Sequence, residues 1–452
     1  LLANLFLDAF DQDMDQMGLQ IVRFADDFLL LTKHEHSADH ALSVASDWLS
    51  EHGLRLNSDG SRVVTFERGF AFLGKLFVRG MVFDASGDQE DPETLEFMQD
   101  LRREDEKDAK AQKAGHDSAG RVLYLTEPGR SLHVSNQSFI VMSDADQELV
   151  RLAHGRVDRI EVGPAVDLDS TTIRHALRTD TDVAFVDGNG AAQGWLTRNP
   201  SHGAKLHLAQ ALLLSTPDLA TDLARRIVEG RIRNQRARLQ VLNRTEKSAD
   251  VIWACKELGR ILRKLPHADA VASLRGHEGR AAALYYPALA GLCPEEPKPF
   301  KRSRPAQTPL NAAINYLTAL LERDCRAAVL AAGLHPGFGV LHSVQERHEA
   351  CVWDMMEGFR ALATEGLAVS LFRKSRLRAE MFSNQSAGIR IGPEGRRALI
   401  KGYEALIARP VVSRHSGNRV GLRRLMIEEA RALAHHVRQP AERPFQGQTQ
   451  DY

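Results

Sequence analysis

His342 is followed downstream by Asp354 and, one helical turn further, by Glu357, while a separate acid, Glu278, stands upstream in Gly276-His277-Glu278-Gly279-Arg280. The run Cys351-Val352-Trp353-Asp354-Met355-Met356-Glu357 alternates apolar and polar residues with helical period, so Asp354 and Glu357 project from one face. An imidazole with two or three carboxylates is the donor set expected for Mg2+ or Mn2+ handling phosphate oxygens. A second acidic pair, Asp26 and Asp27, lies in Phe24-Ala25-Asp26-Asp27-Phe28 between two apolar runs. Adjacent acids there are costly unless a turn exposes them or a cation neutralises them.

Positioning such groups takes more than one core. A chain of 452 residues is expected to form two or three domains. With 43% hydrophobic and 26% charged residues it reads as a soluble, cytoplasmic protein, and no apolar run approaches a membrane span. Cys255, Cys293, Cys325 and Cys351 are too widely spaced for a zinc ribbon or a disulfide framework and are expected to be reduced core thiols. The formal net charge is zero, but its distribution is uneven. Arg225, Arg226, Arg231, Arg233, Arg236, Arg238 and Arg244 face the single acid Glu229, which predicts a cationic helix able to contact nucleic-acid backbone through Arg225, Arg226, Arg231, Arg233, Arg236 and Arg238. Further basic clusters fall at 373–378 and 414–424.

Along the chain the fold class reads as α+β and multidomain. A helix over 1–11, two strands over 19–32 and a helix over 37–52 predict a small α/β unit, taken as residues 1–79. Dense mixed charge over 80–120 predicts a linker. Short apolar runs at 122–125, 131–134, 138–142 and 159–162, a helix over 171–178 behind Asp169 and Ser170, and a hairpin closing at Asp187-Gly188-Asn189-Gly190 predict a β-rich lobe over 121–200. From 201 to 437 the periodicity is helical, which predicts an all-α lobe carrying Glu278, His342 and Asp354 on or beside different helices, with a tail over 438–452. The chain starts at Leu1, within an element, and is expected to be a fragment of a longer product.

The order Leu1-Leu2-Ala3-Asn4, Phe24-Ala25-Asp26-Asp27, Gly53-Leu54-Arg55-Leu56-Asn57 and Phe72-Leu73-Gly74 resembles the palm of group II intron-type reverse transcriptases over residues 1–78. The resemblance implies that Asp26, with Asp27 beside it, is a residual polymerase metal site. The family's further aspartate, from an upstream strand, has no counterpart, so this palm is expected to be incomplete and inactive as a polymerase by itself.

A second resemblance covers about 121–437. Ile173-Arg174-His175-Ala176-Leu177, Val186-Asp187-Gly188-Asn189-Gly190, Glu278-Gly279, Gly333-Leu334-His335-Pro336-Gly337 to His342, and Asp354-Met355-Met356-Glu357-Gly358-Phe359-Arg360 follow in one order. This set is similar to the CRISPR-associated integrase-endonuclease, the core spacer-acquisition enzyme. The resemblance implies that Glu278, His342 and Asp354 are catalytic and bind Mg2+ or Mn2+, with Glu357 at a nearby acidic position that serves some relatives. Gly358 stands where the family usually has proline. It further implies joining of a DNA 3'-hydroxyl to the CRISPR repeat by transesterification, endonuclease activity, double-stranded and branched DNA as partners, a homodimer, and a small partner protein bridging two dimers. Fusion to a reverse transcriptase implies RNA as an additional spacer source. Two alternatives remain at this stage: a retroelement reverse transcriptase with a nucleic-acid-binding C-terminal half, and a catalytically dead DNA-binding scaffold.

Overall fold

The computed structural model describes residues 2–32, 35–57, 61, 63–64, 70–73, 75–78, 81–84, 121–179, 181–197, 203–294, 300–385, 388–442 and 445–449. The chain forms two compact units, Leu1–Gln112 with Ser131–Arg156, and Lys113–Arg130 with Val157–Tyr452. Both mix helix and strand, as the α+β reading expects. The strands expected as one lobe over 121–200 are shared between them. Residues 85–120 of the expected linker and 450–452 of the expected tail lie outside the described residues.

In the first unit, helices Leu2–Gln16 and Glu35–Glu51 accompany the hairpin of strands Gln20–Phe24 and Asp27–Leu31. Phe10 and Met14, four residues apart on one helix, meet Ala45, Trp48 and Leu49 on the other in a small core. The register Phe24↔Asp27 leaves Ala25 and Asp26 at the turn, and Ala25 takes the left-handed φ of 56° that a tight hairpin needs. A second set of strands, Phe70–Phe72, Lys75–Val78 and Met81–Asp84, runs as an antiparallel meander. Met81–Asp84 then pairs with Glu148–Ala153, and the ladder continues through Ser138–Met142 to Arg130–Ser135. This strand occupies residues where composition predicts the start of a linker. Its apolar Met81-Val82-Phe83 run and an open sheet edge are enough to extend the ladder.

The second unit begins with the parallel strands Val122–Leu125, Arg159–Val162 and Asp182–Val186, edged by antiparallel Ala192–Leu196. The helix Ser170–Arg178 makes the crossover, and the Asp169 carboxylate accepts the Thr172 N–H at 2.6 Å, as its N-cap position predicts. Helices follow: Ala204–Leu214, Pro217–Leu242, Ala249–Leu262, Val271–Ala290, Pro309–Ala331, Ala350–Met356, Leu367–Arg373, Pro393–Ile407 and Leu422–Arg438. They enclose one continuous apolar core. Two small hairpins, Phe382–Gln385 with Gly388–Ile391 and Val411–Val412 with Arg419–Val420, interrupt the lobe expected to be wholly helical. The four cysteines are buried. Among the described residues, no helix is long and apolar enough to cross a membrane.

Candidate active site

Three separate segments carry the expected donors. Glu278 projects from the helix Val271–Ala290, His342 lies within the loop between Pro309–Ala331 and Ala350–Met356, and Asp354 with Glu357 comes from the helix Ala350–Met356 and its C-terminal end. The loop is held from several directions. Gln210 sits buried in the apolar stripe of its helix, accepts the His335 N–H at 2.8 Å and donates to the His335 carbonyl at 3.3 Å. Gly339 passes so near the backbone of Ala350 that an added Cβ would lie 2.5 Å from the Ala350 carbonyl carbon, so only glycine fits. From the helix bearing Glu278, Arg275 Nε donates to the Leu341 carbonyl at 2.6 Å.

The loop ends in a cage around Asp354. Its Oδ2 accepts the N–H groups of Val340 at 2.6 Å and Leu341 at 3.0 Å, and its Oδ1 accepts the His342 N–H at 2.9 Å. The His342 ring nitrogen Nδ1 lies 2.8 Å from the same Oδ1. As a carboxylate, Asp354 can only accept, so Nδ1 carries the proton, and in the neutral ring the lone pair is on Nε2. Nε2 faces Glu357 Oε1 at 3.9 Å, and the imidazole is about one-third exposed. Both Asp354 oxygens are thus engaged by the loop and by His342.

Glu357 and Glu278 are joined through arginine. Arg231, only 4% exposed, places Nε 3.3 Å from Glu278 Oε1 and presses NH1 against Glu357 Oε2. Arg360 NH1 donates to Glu357 Oε1 at 3.0 Å, and its Nε lies 3.8 Å from Glu365 Oε1. Glu365 in turn accepts the Tyr286 hydroxyl at 2.7 Å. Burial disfavours the Arg360 charge, yet Tyr286, Glu365 and Glu278 outweigh it and raise its pKa. Burial first, then the Glu365 charge, raises that of Tyr286. Glu365 reaches this chain because Ala361–Gly366 is a π-helical turn that re-aims the side chains after Arg360.

Among the described residues, no three His, Cys, Asp or Glu side chains already form a metal cage. The donors still suit a hard divalent cation: carboxylates from Glu278 and Glu357, and the free Nε2 of His342. Glu357 Oε2 is buried inside the site against the Arg231 guanidinium.

The arginine-rich helix does not present one cationic face. Arg231 turns inward to the two acids, buried away from any DNA backbone, and the half-buried Arg238 donates to the Gly366 carbonyl at 3.3 Å and Ser370 Oγ at 3.1 Å. Arg225 and Arg226 reach Asp222, Arg233 pairs with Glu229, and Arg236 is exposed. Charge alone hid this division. Helical spacing held the signal, since Arg231 lies between Val228 and Gln235 beside Ile232, all on the buried side. Arg360, Glu365, Tyr286 and Arg275 were not singled out as site residues, because each acts through a partner distant in sequence. Asp26 and Asp27, in the first unit, are exposed at their turn, and Arg23 braces it by donating to the Ala25 carbonyl at 2.8 Å and to both oxygens of Asp11.

The family description "CRISPR associated protein Cas1" matches residues 123–405, and "Reverse transcriptase (RNA-dependent DNA polymerase)" matches residues 1–77. A relative from Thermus thermophilus named CRISPR-associated endonuclease Cas1 3 is 29% identical over 315 residues, covering 70% of this chain and 91% of its own length. A Rhodospirillum rubrum protein named as a Cas4 exonuclease and Cas1 endonuclease fusion is 25% identical, over 70% of this chain and 55% of the relative. Among solved structures, a casposase bound to integration product has a TM-score of 0.65 at 20% identity, covering 74% of this chain and 94% of its own. A chain of a Cas6-RT-Cas1 and Cas2 complex has a TM-score of 0.64 at 22% identity and matches all of this chain with 48% of its own. These two likenesses establish a common fold. The chain spans about half the length of the fusion relative and of the reverse-transcriptase-containing structure.

Proposed function

The chain belongs to the CRISPR-associated Cas1 family, with a reverse-transcriptase segment ahead of the Cas1 region, and from that membership we propose that it is a metal-dependent DNA integrase and endonuclease of CRISPR adaptation. The observation that carries the reading is the convergence on Arg231 and Glu357 of groups from three segments, with His342 Nε2 facing the cluster and Nδ1 committed to Asp354. Glu278, His342 and Glu357 would hold Mg2+ or Mn2+, and Asp354 would fix the tautomer and angle of His342. Bound there, a divalent cation supplies charge against phosphate oxygens at a transesterification centre.

The protein's own groups then have definite work. Glu278 and Glu357 supply carboxylate oxygens, His342 supplies a ring nitrogen, and Arg360 fixes the direction of the Glu357 carboxylate. Of the arginines on Pro217–Leu242, Arg225, Arg226, Arg233 and Arg236 are at least partly exposed. Their ion pairs lie near the surface and are weak enough to yield to DNA phosphate. One structure of the same fold is a casposase bound to integration product and another is part of a complex with Cas2, which supports a DNA substrate at the repeat and a small partner protein bridging homodimers here. The reverse-transcriptase segment supports capture of RNA-derived spacers when a complete polymerase accompanies it.

Strand transfer into branched, repeat-containing DNA tests the assignment. The unaltered chain with Mn2+ is expected to join a 3'-hydroxyl end, and Glu278→Ala and His342→Ala to lose at least about 100-fold in rate. Metal-dependent joining that survives both substitutions sinks the assignment of this site.

A further inference from the structure

We infer that Arg231 is an internal counter-cation of the metal site, which holds Glu278 and Glu357 together in the metal-free protein and lowers the site's affinity for divalent ions. The inference rests on the metal-site reading given above and extends it to a residue whose sequence context suggested an outward, DNA-facing role. Arg231 sits on the buried side of Pro217–Leu242, among Ile227, Val228, Ile232, Asn234 and Gln235, and its side chain is 4% exposed. It touches both carboxylates.

The contacts are ionic. Arg231 NH1 lies against the buried Glu357 Oε2, and Arg231 Nε faces Glu278 Oε1 at 3.3 Å. A guanidinium evolved only to brace two acids normally forms parallel, bidentate hydrogen bonds, as Arg23 does with Asp11. Here each acid is met by a single nitrogen, and one positive charge is shared between two carboxylates on different segments. That arrangement suits a site which receives a further cation.

A buried arginine cannot deprotonate or swing into water when the ion arrives. It stays within a few ångströms of a divalent charge, and the repulsion is only partly screened in the interior. Arg231 therefore has opposite effects on the two states. It stabilises the metal-free site by separating like charges, and it weakens ion binding by adding one of its own.

Mn2+ titration of the full chain, read by the loss of free-ion electron paramagnetic resonance signal, with thermal melting in parallel, tests this. Arg231→Met and Arg231→Gln are expected to bind Mn2+ at least roughly tenfold more tightly than the unaltered chain. Both are expected to melt at lower temperature without metal and to show a larger metal-induced rise. Arg231→Lys, which keeps the charge, is expected to stay within about threefold of the unaltered affinity. The glutamine variant keeps an amide donor between the acids, so it carries the test where the methionine variant does not fold. Unchanged or weaker Mn2+ binding in a folded neutral variant overturns the inference while leaving the site assignment intact. An unaltered chain whose Mn2+ binding is absent, or is unaffected by Glu278→Ala and His342→Ala, overturns the site assignment and the inference with it.

Discussion

The contact between His342 and Asp354 turns two residues that look equivalent in sequence into different instruments. Asp354 accepts three backbone N–H groups and the Nδ1 proton, so it is a fixed anchor, and His342 is what it aims. Asp354→Asn tests this division, because the amide cannot serve all four donors. Its NH2 group must face either the N–H groups of Val340 and Leu341 or the Nδ1 proton, leaving donors opposed and buried. Strand transfer is expected to fall by about 10- to 100-fold, and denaturant melts to show a loss of roughly 1–3 kcal/mol. A variant with full activity and unchanged stability would falsify the anchoring role. The candidate residues themselves were legible in the sequence, since Glu278, His342, Asp354 and Glu357 fall in a recognisable order. Their division of labour was not, because it depends on backbone N–H groups that every residue carries and on which ring nitrogen faces which oxygen.

Between elements, the least legible packing is that of the C-terminal segment. Its polar, proline-containing sequence predicts only a tail, yet residues 445–449 lie on the helices that build the site. Asn234 Nδ2 donates to the carbonyls of Gly358 at 2.9 Å and Gln448 at 2.7 Å, fastening the segment to both helices. A Cβ added at Gly447 would collide with the Arg226 carbonyl, and one at Gly230 would lie 3.1 Å from Gly447, so glycines permit the approach. Gly358, where relatives usually have proline, belongs to the same set: its Cβ would meet Gln448 Cβ at 2.9 Å. Gly358→Ala is therefore expected to force the segment away from the helix end, at a cost of about 1–3 kcal/mol. Limited proteolysis should then cut the segment sooner than in the unaltered chain, and equal cutting rates with equal melting would count against the contact. The same reasoning explains why Met81–Asp84 escaped the sequence. A short strand is fixed by its partner, Glu148–Ala153, and that partner lies far along the chain. Long amphipathic helices such as Pro309–Ala331 carry their own pattern, and they were readable in advance.

Across the whole second unit, a buried ionic network ties its sheet to three helices. Arg159 and Glu161 come from the central strand, and Arg323 and Asp324 from Pro309–Ala331; Glu404 and Tyr403 come from Pro393–Ile407, and Arg423 from Leu422–Arg438. Asp324 is the hub. Its Oδ1 accepts from Arg159 at 2.6 Å, and its Oδ2 accepts from Arg423 at 3.0 Å and from the Tyr403 hydroxyl at 2.8 Å. Glu161 joins Arg323 at 2.6 Å, and Glu404 accepts from Arg423 and from the Tyr124 hydroxyl at 2.5 Å. Burial alone would raise the Asp324 pKa, but Arg423 and Arg159 override it and hold it at about 2, below the ordinary 3.8. A depressed carboxylate contributes stability that is complete above its unfolded pKa and is lost as pH falls through the folded one. For Asp324 that contribution is on the order of 2 kcal/mol and disappears between about pH 4 and pH 2. Asp324→Asn leaves Arg159 and Arg423 buried beside a neutral group, which is expected to cost about 3–5 kcal/mol near pH 7. In the unaltered protein, protonation at low pH imposes a similar neutrality. The stability gap between the two proteins, followed by denaturant unfolding, should therefore narrow as pH falls from 4 toward 2, and a gap that stays constant over that interval would show that the network is not held by this charge.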